Sequence, residues 1–149
     1  MKQFPIIDSH THILFSDVRS HEFCLRLDGV SYQEIASSGG GINSTIKDCK
    51  SSSDEQLLKN SMGRLRAALR LGVTTLEVKS GYGMSLHEEI RHLQLLNELQ
   101  QKTSQHLEVT CLALHALPPD ASSTTQFVKT MTSELLPEVK KQNFRQEQL

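Results

Sequence analysis

The chain has 149 residues, 37% of them hydrophobic, and a formal net charge of −1. That length predicts a single domain, and the composition supplies enough apolar residues for a core and excludes wholesale disorder. The charge is balanced with no long run of one sign, which argues against a nucleic-acid binder but leaves a small anionic substrate open, because one arginine suffices for a carboxylate.

The first predicted element is a short strand. Its apolar residues Ile6-Ile7 run into Asp8-Ser9-His10-Thr11-His12. Side chains alternate along a strand, so His10 and His12 share a face, about 7 Å apart. Two neutral imidazoles at a strand end can hold one divalent metal ion. Asp8 lies on the same face and could orient a ligand from behind. His-x-His alone is a weak signal, and ordinary strand chemistry fits it equally.

A polar loop follows from Phe15 to Gly29, with a helical turn around Glu22 to Leu27. Ser31-x-x-Glu34 is a capping box and predicts a helix from Tyr32 to Ser38. Gly39-Gly40-Gly41 stops it, either as a flexible turn or as backbone lying close to a ligand or another loop. Ser53-x-x-Gln56 opens the first long helix. Leu58, Met62, Leu65 and Leu69 form its apolar stripe, Arg64, Arg66 and Arg70 lie off it, and Gly72 caps its end.

Val73 to Lys79 alternates as a second strand, with Leu76 and Val78 on one face and Thr75, Glu77 and Lys79 on the other. Ser80-Gly81-Tyr82-Gly83 is a tight turn presenting one phenol. Ser85-x-x-Glu88 caps a helix whose stripe is Leu86, Ile90, Leu93, Leu96 and Leu99, which leaves His87 and His92 in solvent. Leu107 to Leu114 is an apolar third strand, buried on both faces, with His115 at its end and Pro118-Pro119 stopping it. Ser123-x-x-Gln126 caps a last helix, Pro137 breaks or kinks it, and the polar tail from Lys140 to Leu149 frays.

Strands alternating with helices imply an α/β fold with parallel strands and right-handed crossovers. His10, His12, Tyr82 and His115 all follow C-terminal ends of strands, where a (β/α)₈ barrel keeps its chemistry. A whole barrel needs about 250 residues, and this chain supplies about the first three βα units of one. Cys24, Cys49 and Cys111 are odd in number with no Cys-x-x-Cys, and read as free thiols in a reducing compartment. Asp8 interrupts any signal-peptide core, and no stretch approaches the roughly 20 apolar residues of a membrane span, so no membrane is expected and the localisation is cytoplasmic.

Asp8-Ser9-His10-Thr11-His12 resembles the first-strand signature of the amidohydrolase superfamily, metal-dependent hydrolases built on a (β/α)₈ barrel. More narrowly, the chain resembles the imidazolonepropionase family of histidine degradation. The resemblance is carried by Arg19 through Glu22-Phe23, by Tyr32 to Ala36 with Gly39 to Ile42 and Ser44-Thr45, by Gly72 to Gly83, and by His115-Ala116 with Pro118-Pro119. It runs in order from about Ile6 to about Pro137.

The resemblance implies a reaction, hydrolysis of the cyclic C–N bond of 4-imidazolone-5-propanoate to N-formimino-L-glutamate. It implies one divalent metal ion, zinc or iron, with His10 and His12 as its first two ligands. It further implies that Arg19 grips the propionate carboxylate, that Tyr82 hydrogen-bonds the substrate, and that His115 contacts the ring and polarises its carbonyl. The family's remaining ligands, a histidine and an aspartate, come from later strands than this chain contains. Residues 1–149 are therefore expected to be one truncated barrel segment of a larger enzyme, itself a homodimer. The alternatives are another cyclic amidohydrolase or deaminase, an inactive fragment or a short form pairing with full-length subunits, and a small metal-binding domain completed by His21 or His115.

Overall fold

The computed structural model describes residues 4–118 and 121–142. Pro119, expected to help stop the third strand, and residues 143–149 of the expected fraying tail lie outside them. The chain runs β1 (Ile6–Thr11), α1 (Ser20–Leu27), α2 (Tyr32–Ser37), α3 (Ile42–Ser51), α4 (Asp54–Arg70), β2 (Val73–Lys79), α5 (Leu86–Lys102), β3 (His106–Thr110) and α6 (Thr124–Thr130). A π turn at Met131–Leu135 continues α6 into α7 (Leu136–Lys141). The strands form one parallel sheet in the order β1-β2-β3. This is the α/β arrangement with parallel strands that the alternation predicts.

Local sequence explains most helix starts. The side chains of Ser31, Ser53, Ser85 and Ser123 each accept the backbone N–H three residues on, at Glu34, Gln56, Glu88 and Gln126. Each such cap stabilises its helix by about 1 kcal/mol relative to alanine. At Ser31 the box is reciprocal, because Glu34 Oε2 accepts the Ser31 N–H at 2.8 Å. Besides α7, which continues from the π turn, two helices lack that signal. α1 is a full helix where a loop with one helical turn is expected, and it buries none of its residues. α3 starts from Gly41 at φ 68° with no side-chain cap.

Leu76 and Val78 of β2 point into a core with Leu57 and Leu65 of α4, Leu95, Leu96 and Leu99 of α5, and Leu107 of β3. Thr75, Glu77 and Lys79 line the opposite, half-buried face. The buried line of α4 is Leu57, Ser61 and Leu65, one residue round from the expected stripe, and Leu69 is exposed. That rotation turns Arg64, which lies off the expected stripe, inward. His92, expected in solvent, is a correction, being 1% exposed on α5 beside Leu93 and Leu96.

β3 ends at Thr110, earlier than expected, because the Leu112 N–H donates to Ser80 Oγ at 3.0 Å. Pro137 does not end the last helix. The π turn's wider loop, with the Leu136 N–H bonded to Met131 O, places Pro137 in the first turn of α7, where no donor is needed. Lys140 and Lys141, expected in the frayed tail, are still helical. Among the described residues no helix is long and apolar enough to cross a membrane, and the three cysteines are free thiols.

Candidate active site

The C-terminal ends of the three strands bring four rings together. The His10 and His12 centroids lie 5.6 Å apart, as a shared strand face requires. His12 stacks on His115 at 4.8 Å with 16° between the planes. Tyr82 closes the group, 5.4 Å from both His12 and His115. His115 arrives from a turn past β3, closed by its N–H to Leu112 O at 2.9 Å, rather than from the strand itself.

The end of β1 is fixed from α4. Arg64 donates to the carbonyls of Ile13 at 3.0 Å, Phe15 at 2.6 Å and Ser16 at 3.2 Å. Its guanidinium carbon lies 3.4 Å from the Phe15 ring centroid. Ser61 Oγ adds a second bond to Ile13 O, and Asn60 a second to Ser16 O. Carbonyls leaving a strand need donors, and a planar fork of five N–H groups can satisfy several at once. Asp8, expected behind a histidine ring, instead accepts the backbone N–H of His10 at 3.3 Å.

Arg19 precedes α1 and pairs with Glu22 at 3.1 Å. The second oxygen of Glu22 accepts the Gly41 N–H at 2.9 Å. A Cβ on Gly40 would lie 2.7 Å from Ile35 Cγ2 and 2.8 Å from Glu22 Oε1. Gly40 is thus backbone in close approach to α1 and α2, while Gly39 at φ 88° and Gly41 at φ 68° keep the conformation of a turn. Arg19 makes no ring contact with the histidines, but its charge reaches Tyr82.

Burial holds His12 below the usual imidazole range. Positive charge at His115, His10 and Lys79 pushes the same way, against Glu77. Burial raises the Tyr82 phenol, with Arg19 opposing. Burial would raise Glu77 too, but hydrogen bonds from Lys79 and Thr110 outweigh it and leave the carboxyl low. The Lys79–Glu77 pair is thus a neighbour of the site. The alternation of β2 placed both residues on a polar face suited to a barrel interior near an active site, and the structure sets their charges close enough to act on His12.

A neutral, low-pKa imidazole is the form that ligates a metal. His12 Nδ1 and His115 Nδ1 are buried and have no hydrogen-bond partner among the described residues. The donors fit a metal in part. His10 and His12 are adjacent, but among the described residues no group of three or more His, Cys, Asp or Glu is placed to hold an ion. His21 is exposed on α1 and takes no part in the ring cluster, so a small metal-binding domain completed within this chain gains no support.

No family model matches the chain. It is 43% identical over 139 residues to an imidazolonepropionase of Yersinia pestis (strain Pestoides F), covering 93% of this chain and 34% of that protein. It is 42% identical over the same share to an imidazolonepropionase of Yersinia pseudotuberculosis serotype O:1b (strain IP 31758). The chain therefore spans about a third of the length of the curated relatives it matches.

Proposed function

We propose that this homologue of the imidazolonepropionases carries the part of such an enzyme that supplies the first metal ligands and binds the substrate, and that the whole enzyme hydrolyses the cyclic C–N bond of 4-imidazolone-5-propanoate to N-formimino-L-glutamate. The observation that carries the reading is the convergence of His10, His12, Tyr82 and His115 at the ends of three parallel strands. The helix-covered face and the polar face of the sheet suit one arc of a (β/α)₈ barrel, with Thr75, Glu77 and Lys79 inward. Ile6 and Ile7 are 49% and 69% exposed on a strand paired on one side only among the described residues, which suits a segment of a larger barrel.

In this reading His10 and His12 hold a zinc or iron ion. When bound, such an ion supplies Lewis acidity and a water whose pKa falls toward about 7. Arg19, already oriented by Glu22, takes the propionate carboxylate through a charge-assisted pair. Tyr82 donates its phenol proton to the ring, which a raised pKa keeps in place at neutral pH. His115 hydrogen-bonds the ring carbonyl and stabilises the charge that develops there. The setting is cytoplasmic.

The test is titration of the purified chain with zinc and with imidazole-4-propionate, a ring that cannot be hydrolysed. A hydrolysis assay on 4-imidazolone-5-propanoate, with and without chelator, runs alongside. Zinc binding is expected to fall in His10→Ala and in His12→Ala. Analogue affinity should fall about 10–100-fold in Arg19→Ala, the range for a charge-assisted hydrogen bond. Analogue binding indifferent to Arg19 and Tyr82, or chelator-insensitive turnover, would overturn the reading.

A further inference from the structure

The turn that carries Tyr82 leaves three backbone N–H groups to be satisfied from outside it, and one carboxylate takes them all. Glu89 Oε2 accepts Gly81 N–H at 3.1 Å. Glu89 Oε1 accepts Gly83 N–H at 2.7 Å and Met84 N–H at 3.3 Å. Glu89 is 0% exposed and sits near the start of α5, where the helix dipole favours negative charge. A buried carboxylate is tolerated when its oxygens are hydrogen-bonded, and here backbone amides do that.

The fit on both sides of the turn is close. A Cβ on Gly83 would lie 2.6 Å from the Glu89 backbone nitrogen and 2.9 Å from its Oε1. A Cβ on Gly81 would lie 2.8 Å from Leu112 O, 2.9 Å from His115 Cβ and 3.1 Å from His115 Nδ1. Ser80 ties the same turn to β3, its N–H bonded to Thr110 O and its Oγ accepting Leu112 N–H, each at 3.0 Å. The chain is therefore threaded between the carboxylate and the His115 turn. Where Glu89 holds Gly81 and Gly83, Tyr82 lies between them, and His115 packs against the far side of Gly81.

We infer that Glu89 is a positioning residue, which through the Gly81, Gly83 and Met84 amides sets the Tyr82 ring against the His115 ring, 5.4 Å apart, so that both side chains reach the same substrate ring. Its substrate half rests on the proposed function. Its geometric half does not.

Glu89→Gln keeps the shape and one acceptor oxygen but turns the other into a donor that faces an N–H. Amide exchange at Gly81, Gly83 or Met84 should quicken by at least about tenfold, with Leu76 and Val78 unchanged. The nuclear Overhauser contacts between the Tyr82 and His115 rings should weaken without any ligand present. Affinity for imidazole-4-propionate should fall at least about tenfold. Glu88→Gln, whose carboxylate pairs with Arg91 instead, should leave all three readouts at wild type.

Unchanged protection or unchanged ring contacts in Glu89→Gln would overturn the inference whatever the substrate. Lost protection with analogue affinity intact would reduce Glu89 to a fold element and overturn it too. If the wild type binds no analogue, the proposed function fails while the ring contacts still judge Glu89. Should Glu89→Gln not fold, Gly83→Ala attacks the same contact from the turn, and the same losses are expected. A Gly83→Ala chain that keeps the ring contacts would overturn the inference.

Discussion

The sheet half built on β2 and β3 is held by apolar burial, whereas β1 and the loop after it are held largely by polar clamps. Leu76, Val78 and Leu107 meet Leu57, Leu65, Leu95, Leu96 and Leu99 in one continuous core. β1 has Ile6 and Ile7 largely in solvent. Beyond it, Ile13 and Leu14 reach the core, but the carbonyls of Ile13, Phe15 and Ser16 are gripped by Asn60, Ser61 and Arg64. The proposed site takes Tyr82 and His115 from the first region, and His10, His12 and Arg19 from the second. Burial is non-directional and sums over many contacts, while a clamp concentrates its effect in one side chain. The two halves of the site should therefore fail in different ways.

The largest expected effect contrasts one substitution from each region. Leu96→Ala empties a fully buried position and should cost about 2–5 kcal/mol, read as a global loss in denaturant unfolding. Arg64→Ala should cost about 2 kcal/mol, because it leaves Phe15 O without its donor and Ile13 O and Ser16 O with one side-chain donor in place of two. Its signature is local, with faster amide exchange from Ile13 to Val18 and near-native protection in β2 and β3. Arg64→Lys should rescue little, because an ammonium cannot reproduce the planar fork or its stacking on Phe15. Equal, global losses in both variants would erase the distinction between the regions.

The same division explains what the sequence made legible. Helix starts in both regions were readable wherever a serine cap stood three residues before Glu or Gln, because that signal is local. β2 was readable residue for residue, since its alternation reports two different faces. α1 was not, because a helix that buries nothing has no core periodicity to display. His92 was placed in solvent, and the role of Arg64 off the stripe was not read, for a related reason. Only the packing reveals an apolar pocket or a carbonyl cluster around a polar residue. The His10–His12 pair came from strand spacing, and its company with Tyr82 and His115 from the parallel topology. Glu22's link from Arg19 to Gly41 joins the start of α1 to the start of α3 and left only an i,i+3 trace. Glu89 left none, for its partners are backbone amides, and these have no letter in the sequence.

A smaller and pH-dependent effect sharpens the comparison from the burial side. Burial in the apolar region lowers the His92 pKa, with Glu89 and Glu88 opposing that shift. A histidine depressed in the folded state binds protons more readily when unfolded. Its cost is thus absent above the unfolded pKa of about 6.5 and grows as pH falls toward the folded value, by up to about 1.4 kcal/mol per pH unit. Unfolding free energy should decline below about pH 6.5, and His92→Leu should flatten that slope. A slope unchanged by His92→Leu would place the acid sensitivity in the polar region instead.

The smallest effect is expected where the two regions share an element. α4 sends Leu57 and Leu65 into the core and Asn60, Ser61 and Arg64 to the clamp, and Gly63 interrupts it between them. Nothing lies within 4 Å of a Cβ placed at Gly63. Gly63→Ala therefore meets no obstruction and removes backbone freedom mainly from the unfolded chain, a gain of about 0.5–1 kcal/mol. Because α4 serves both regions, the gain should appear twice, as a higher unfolding midpoint and as slower exchange from Ile13 to Ser16. A gain in the midpoint alone would mean that the clamp opens without α4 fraying, so that its lifetime is set by the side chains of Arg64 and Asn60 rather than by the helix that carries them.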